Sequence, residues 1–313
     1  MRRYAIITYT RREDGDSGGV PRWAWYLKRA LDEARHEVEH FAWADYPNRA
    51  DLATAPEQVR ALALSSWVGA QAADYAGIIA DGFWGWGLPE TARAIICAHG
   101  TWAGLDAAMG GVPRDFVEAQ HETFRRFPVI AVSEAAAHEV FVHHQVRAAG
   151  VVPNGVDLDL YQPDGHARGR RIRHASHSTS KGRDIVERVA AQLDAGARVE
   201  YLEAAIGNEP PRFAAADVFL HPSRYEGDSY ACIEALACGV PLVHSITGRW
   251  ASEPEDSRVG RGLDIGAATG EWVAAVEALL TDPEAPARAR AYAEERADYR
   301  DFARRWLKAV STL

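Results

Sequence analysis

Residues 218–243, VFLHPSRYEGDSYACIEALACGVPLV, decide how the chain is read, because they hold one strand, one loop, one helix and a second strand. Val218, Phe219 and Leu220 form a short apolar run rich in strand formers, and Pro222 stops it. A polar loop follows. From about Ser229 the spacing of Ile233, Leu236 and Ala237 describes a helical face, and Gly239 with Pro241 ends it before Leu242 and Val243 open another strand. In this βαβ unit Glu226 stands just before the helix and Glu234 inside it. Two carboxylates therefore flank a helix N-terminus whose unpaired N–H groups favour an anion. A ligand with both a phosphate and several hydroxyls suits that pairing, since a carboxylate accepts two hydrogen bonds from a vicinal diol.

The series Glu226-Gly227, Glu234-Ala235-Leu236 and Gly239-Val240-Pro241 closely resembles the E-G-x(6)-E-A-L-A-x-G-x-P signature of retaining glycosyltransferases of the two-Rossmann-domain (GT-B) type. These form glycosyltransferase family four, group 1 type, which includes sucrose, glycogen and lipid-sugar synthases. The resemblance implies an α/β fold of GT-B architecture, two Rossmann-like domains facing a central cleft. It further implies a nucleotide-diphosphate sugar as donor, with Glu226 near the sugar and Glu234 on the ribose hydroxyls.

Composition agrees with two soluble globular domains: 313 residues, 47% hydrophobic and 25% charged. The formal net charge of −9 argues against nucleic acid or anionic lipid as a partner. Cys97, Cys232 and Cys238 lie in apolar runs without metal-type spacing and read as buried thiols of a reduced compartment. No apolar run approaches a membrane span, so the expectation is a cytoplasmic protein without stable membrane insertion.

At the start, Tyr4–Tyr9 reads as a strand, Arg11–Pro21 as a glycine-containing loop, and Trp23, Leu27, Ala30, Leu31 and Ala34 as one helical face. Gly18 and Gly19, with Arg22, resemble the family's N-terminal loop, where the backbone faces the donor's phosphates. Residues 50–73 are alanine-rich and read as a helix. Trp84 and Trp86 suit either an acceptor pocket or surface packing. His99 follows the strand Ala94–Ala98, at the carboxyl end where ligands bind in parallel sheets, and in the family such a histidine faces the donor sugar. Ser133 reads as a helix cap with Glu134 as the early acid, and adjacent His143 and His144 make a poor metal pair. Val151–Asp157 resembles the family's V-I-P-N-G-V-D segment that ends the first domain's sheet. Asp157-Leu158-Asp159 has the form of a metal-binding DxD, but its place in that turn predicts an interdomain role, and the GT-B type needs no divalent metal.

The polar tract 162–170 has linker composition. The expected domains are therefore 1–165 on the acceptor side, 166–288 for the nucleotide sugar, and a helix over 289–313 crossing back. The second domain looks trimmed, lacking a strand and helix that relatives carry. Lys181-Gly182 matches the end of the family's G-R-x(4)-K-G element, which clamps the diphosphate, whereas Ser176 stands where its arginine is expected. Arg173, His177 or Arg183 are the possible replacements. A guanidinium grips phosphate bidentately and a hydroxyl does not. Glu203 is a weak candidate for contacting the base.

In the expected chemistry, Lys181 and the N–H groups of Gly227, Asp228, Ser229 and Tyr230 meet the charge that grows on the departing phosphate oxygen. Where relatives often have E-G-F-G-L-P, Asp228 supplies an extra carboxylate for a sugar hydroxyl, a cation or a helix cap. Retention and metal independence follow from the resemblance alone. The acceptor is an unidentified hydroxyl on a glycan, lipid or small molecule. The alternatives are a nucleotide-sugar epimerase or phosphorylase on the same fold, or a degenerate, non-catalytic sugar-binding protein.

Overall fold

The computed structural model describes residues 1–16, 18–175, 178–194, 196–202, 209–252 and 258–313. The chain divides into two compact units, Met1–Pro153 with Phe302–Leu313, and Asn154–Asp301.

Unit 1 runs β1 (Arg3–Ile7), α1 (Gly19–Glu33), β2 (Glu37–Phe41), α2 (Glu57–Gly69), β3 (Gly77–Asp81), β4 (Ala94–Ala98), α3 (Trp102–Met109), α4 (Arg114–Arg126), β5 (Val129–Ala131), α5 (Glu134–His144) and β6 (Gly150–Val151). Its six strands are parallel in the order β2-β1-β3-β4-β5-β6. Strands enclosed on both faces are uniformly apolar, as Ile78, Ile79, Ile95 and Ile96 are here, all buried. The alanine-rich tract is helical only from Glu57, with turns before it. Pro56 accounts for the late start, because it disfavours helix at the residue before it and suits a helix entry.

Unit 2 runs β7 (Arg171–His174), α6 (Arg183–Ala190), β8 (Arg198–Tyr201), α7 (Glu209–Ala214), β9 (Val218–His221), α8 (Tyr230–Ala237), β10 (Leu242–Ser245), α9 (Arg249–Ser252), β11 (Gly260–Leu263), α10 (Thr269–Thr281) and α11 (Ala285–Arg296). Its five strands, also parallel, are ordered β11-β10-β9-β7-β8. Ile172, Val186, Leu220, Val243, Trp272 and Val276 form its core between sheet and helices. The quoted stretch is β9, α8 and β10, as its spacing predicts.

The last segment differs from the single helix expected over 289–313. It is α11 followed by α12 (Tyr299–Val310), broken where Asp298 bridges to Val156. The units also divide at Pro153–Asn154 and not at 165–166. Residues 154–165 are held to unit 2 by the Val156–Asp298 bridge, by Asn154 on Asp228, and by Tyr161 on Glu234. The linker-like tract is itself anchored, since Asp217 accepts the N–H groups of Gly169 and Arg171. Polar composition there reflects backbone groups bound by a side chain, not a free connection.

Candidate active site

Ligands of open parallel sheets bind at the carboxyl ends of the strands where the order reverses. In unit 2 that point lies between β7 and β9, since β7 leads to β8 on one side and to β9 on the other. The loop after β7 carries Lys181, and the loop after β9 carries Glu226. Lys181 Nζ donates to Glu226 Oε1 at 2.6 Å. His221, the last residue of β9, places Nε2 2.8 Å from the same oxygen. Lys181 is about one-third exposed (34%), whereas the Glu226 and His221 side chains are nearly enclosed, at 11% and 5%.

Burial opposes the Glu226 charge, but Lys181 and His221 outweigh it and hold the carboxyl down at about 2. Burial likewise lowers His221, and the neighbouring Cys232 thiol and Glu226 carboxylate reverse this, so its pKa lies above the ordinary imidazole range. His221 was invisible to sequence reasoning: a histidine closing an apolar strand reads as core, and only the sheet order puts it at the switch point.

Close backbone packing fixes the Glu226 loop. Gly248 has φ +55, and a Cβ there would lie 2.6 Å from the Gly227 carbonyl oxygen and 2.7 Å from that of Glu226. Arg249 follows, and its Nη2 donates to Asp228 Oδ2 at 2.7 Å and to the Asn154 carbonyl at 2.9 Å. Asn154 completes the knot, with its N–H on Asp228 Oδ2 at 2.7 Å and its Nδ2 on the Asp228 carbonyl at 2.9 Å. The expectation that Asp228 binds a sugar hydroxyl, a cation or the helix start is therefore corrected. Its side chain is fully enclosed and committed to Arg249 and Asn154, and burial raises its pKa despite the arginine.

Ser229 is the N-cap of α8 and makes no side-chain cap bond, and Gly227, Ser229 and Tyr230 are buried. Glu234 is fully buried, and its Oε1 accepts the Tyr161 hydroxyl at 2.8 Å. A ribose reaches this carboxylate only if Tyr161 yields. Ser176, His177 and Glu203 lie outside the described residues. Of the other expected cations, Arg173 pairs with Glu200, and Arg183 with Glu187.

In unit 1, Gly18 caps α1 and Gly19 begins it, but the Asp16 carboxylate accepts the Gly18 N–H at 2.7 Å, an acid where a phosphate is expected. His99 stands at the end of β4, edge-on to Trp23 at 4.9 Å and 3.9 Å from Asp81. Burial pushes His99 down to about 3 and Asp81 up to about 7, so the imidazole is neutral at physiological pH. Trp84 is buried against Phe83, which selects packing over an open acceptor wall, and Trp86 donates to Glu122. Ser133 caps α5 through the Ala136 N–H. Asp157 accepts the N–H groups of Asp159 and Leu160, which forms a turn, and no group of three or more His, Cys, Asp or Glu placed to hold a metal ion occurs among the described residues. The three cysteines are free and buried. No helix among the described residues is long and apolar enough to cross a membrane.

Two parallel, helix-covered sheets of this order are the Rossmann-like halves of the GT-B architecture. Sucrose-phosphate synthase from Thermosynechococcus elongatus matches over 100% of this chain and 99% of its own, with TM-score 0.82 and 17% identity. Anabaena HepE in complex with UDP and glucose matches over 100% of both chains, with TM-score 0.78 and 18% identity. Residues 180–296, all within unit 2, match the family of glycosyl transferases group 1. The MMP α-(1→4)-mannosyltransferase of Mycolicibacterium hassiacum is 31% identical over 166 residues, which span 42% of this chain and 40% of that protein.

Proposed function

We propose that the protein transfers a glycosyl group from a nucleotide-diphosphate sugar to an acceptor hydroxyl, with the donor held by unit 2. The observation that carries this is the convergence of Lys181 and His221 on Glu226 Oε1, at the switch point of the sheet and beside the start of α8. Departure of the nucleotide places negative charge on a phosphate oxygen, and a preorganised cation at that position lowers the barrier. Lys181 supplies it. Glu226 orients the lysine and faces the transferred sugar.

The reading extends to retention of the anomeric configuration, in which the acceptor proton passes to the leaving phosphate, and to transfer without a divalent cation. A hexose donor accords with the mannosyltransferase relative and the UDP and glucose complex of HepE. The test is transfer from uridine, guanosine, adenosine and thymidine diphosphate hexoses, with EDTA present, and NMR of the product anomer. Lys181→Ala is expected to lower kcat by about 10²- to 10³-fold. Equal turnover in the two proteins removes Lys181 from the mechanism.

A further inference from the structure

We propose that His221 is a positioning residue of the donor site: its imidazolium shares Glu226 Oε1 with Lys181, fixing that carboxylate and leaving the lysine charge available to the donor's diphosphate. This rests on the reading of Lys181 as the phosphate contact. A lysine paired with one carboxylate is neutralised, and an approaching diphosphate must compete with that carboxylate. A second cation on the same oxygen changes the sum: Lys181 and His221 together against Glu226 leave one net positive charge. His221 reaches Oε1 from the end of β9, the strand that leads into the Glu226 loop, at 2.8 Å, so Glu226 keeps a partner when Lys181 turns to the phosphate.

The Glu226 carboxylate favours the charged form of His221, and burial and the Lys181 ammonium on the same oxygen oppose it. Cys232 faces the ring from α8, His174 from β7 with ring centroids 6.4 Å apart, and His244 from β10. His244 is pushed down to about 4, mainly by burial, and is neutral at pH 7, so it adds no competing charge. His174 spends Nδ1 on the Leu220 carbonyl. The Phe219 ring stacks on His221 at 17° and 5.9 Å and fixes its plane.

Because His221 donates from Nε2 whether neutral or charged, its geometric and electrostatic roles separate in a charge-neutral variant. Binding of inorganic pyrophosphate, UDP and GDP is measured by calorimetry at pH 7 for the wild type, Lys181→Ala, His221→Gln and the double variant His221→Gln/Glu226→Gln. His221→Gln is expected to weaken binding about tenfold or more, the scale of one unit charge about 10 Å away at an effective dielectric of about 20. The double variant, which also removes the carboxylate, is expected to recover most of that loss, a rescue that a merely structural histidine does not give. Wild-type affinity in His221→Gln, or no recovery in the double variant, overturns the role of His221 while the donor site stands. A wild type that binds none of the probes, or a Lys181→Ala protein that binds them equally, overturns the donor reading itself. Should His221→Gln fail to fold, nitrogen-15 NMR of the wild-type histidines decides. An imidazolium at His221 from about pH 6 to 8 is expected, and a neutral ring overturns the proposal.

Discussion

Replacing Asp228 by alanine is expected to destabilise unit 2 by about 3–5 kcal/mol, the cost of stripping one partner from a buried ion pair. The structure sets the scale. Arg249 and Asp228 side chains are 4% and 0% exposed and meet at 2.7 Å, so neither is solvated and the pair is not screened as a surface bridge is. The same carboxylate oxygen also accepts the Asn154 N–H, so the variant loses the charge that balances the guanidinium and the acceptor of a buried amide. Asp228→Leu combined with Arg249→Met removes both charges, and its cost is expected to be well below the sum of the single substitutions. Urea denaturation followed by tryptophan fluorescence suits the measurement, because Trp250 lies 5.9 Å below the Arg249 guanidinium and reports on unit 2. An Asp228→Ala protein within about 1 kcal/mol of the wild type, or a double variant as unstable as that single one, refutes the account. Asp228→Asn is expected to rank donor sugars as the wild type does; a changed ranking returns Asp228 to sugar recognition.

Gly248→Ala forces a Cβ against two backbone oxygens at a positive φ, and is expected to cost about 1–3 kcal/mol and to weaken UDP or GDP binding, read by calorimetry and urea melts. Tyr161→Phe removes the hydroxyl on Glu234; if that carboxylate holds a ribose, UDP affinity relative to pyrophosphate rises, and an unchanged ratio makes Glu234 structural. Stability is expected to fall in acid in two stages, measured as Tm against pH. Buried His144 and His244 and half-buried His40, each about 4, and half-buried His99, about 3, are neutral when folded but take protons when unfolded, so stability is lost as pH drops below about 6.5. Glu226 and Asp184, held at about 2 in the fold, add a second loss below about pH 4.5. His221 opposes neither stage, since its raised pKa leaves its contribution complete below about 6.5. A Tm flat from pH 7 to about 4.5 contradicts the first stage.

β9, α8 and β10 were legible because each rests on local signals, an apolar run, helical spacing and Gly and Pro stops, whereas Lys181 and Glu226 were marked by the resemblance. What the chain did not disclose depends on partners far along it. Arg249 and Asn154 reach Asp228 from other segments, so an acid beside a helix start read as a ligand contact or a cap when it is the centre of a buried knot. Tyr161 covers Glu234 from a tract that reads as part of the first domain, which is also why the division was expected too late. The break between α11 and α12 has no glycine or proline to mark it; a bridge from Asp298 to Val156 makes it.

The two carboxylates around α8 have unlike tasks as a consequence of their burial. Glu226 lies beside a lysine about one-third exposed, whose ion pair with it opens at modest cost because one partner is partly solvated. Glu234 is sealed, and its hydroxyl partner must be displaced before any ribose arrives. On the proposed reading, a donor entering unit 2 meets the Lys181 charge before Glu234, and pyrophosphate, lacking a ribose, is expected to engage Lys181 with Tyr161 still on Glu234.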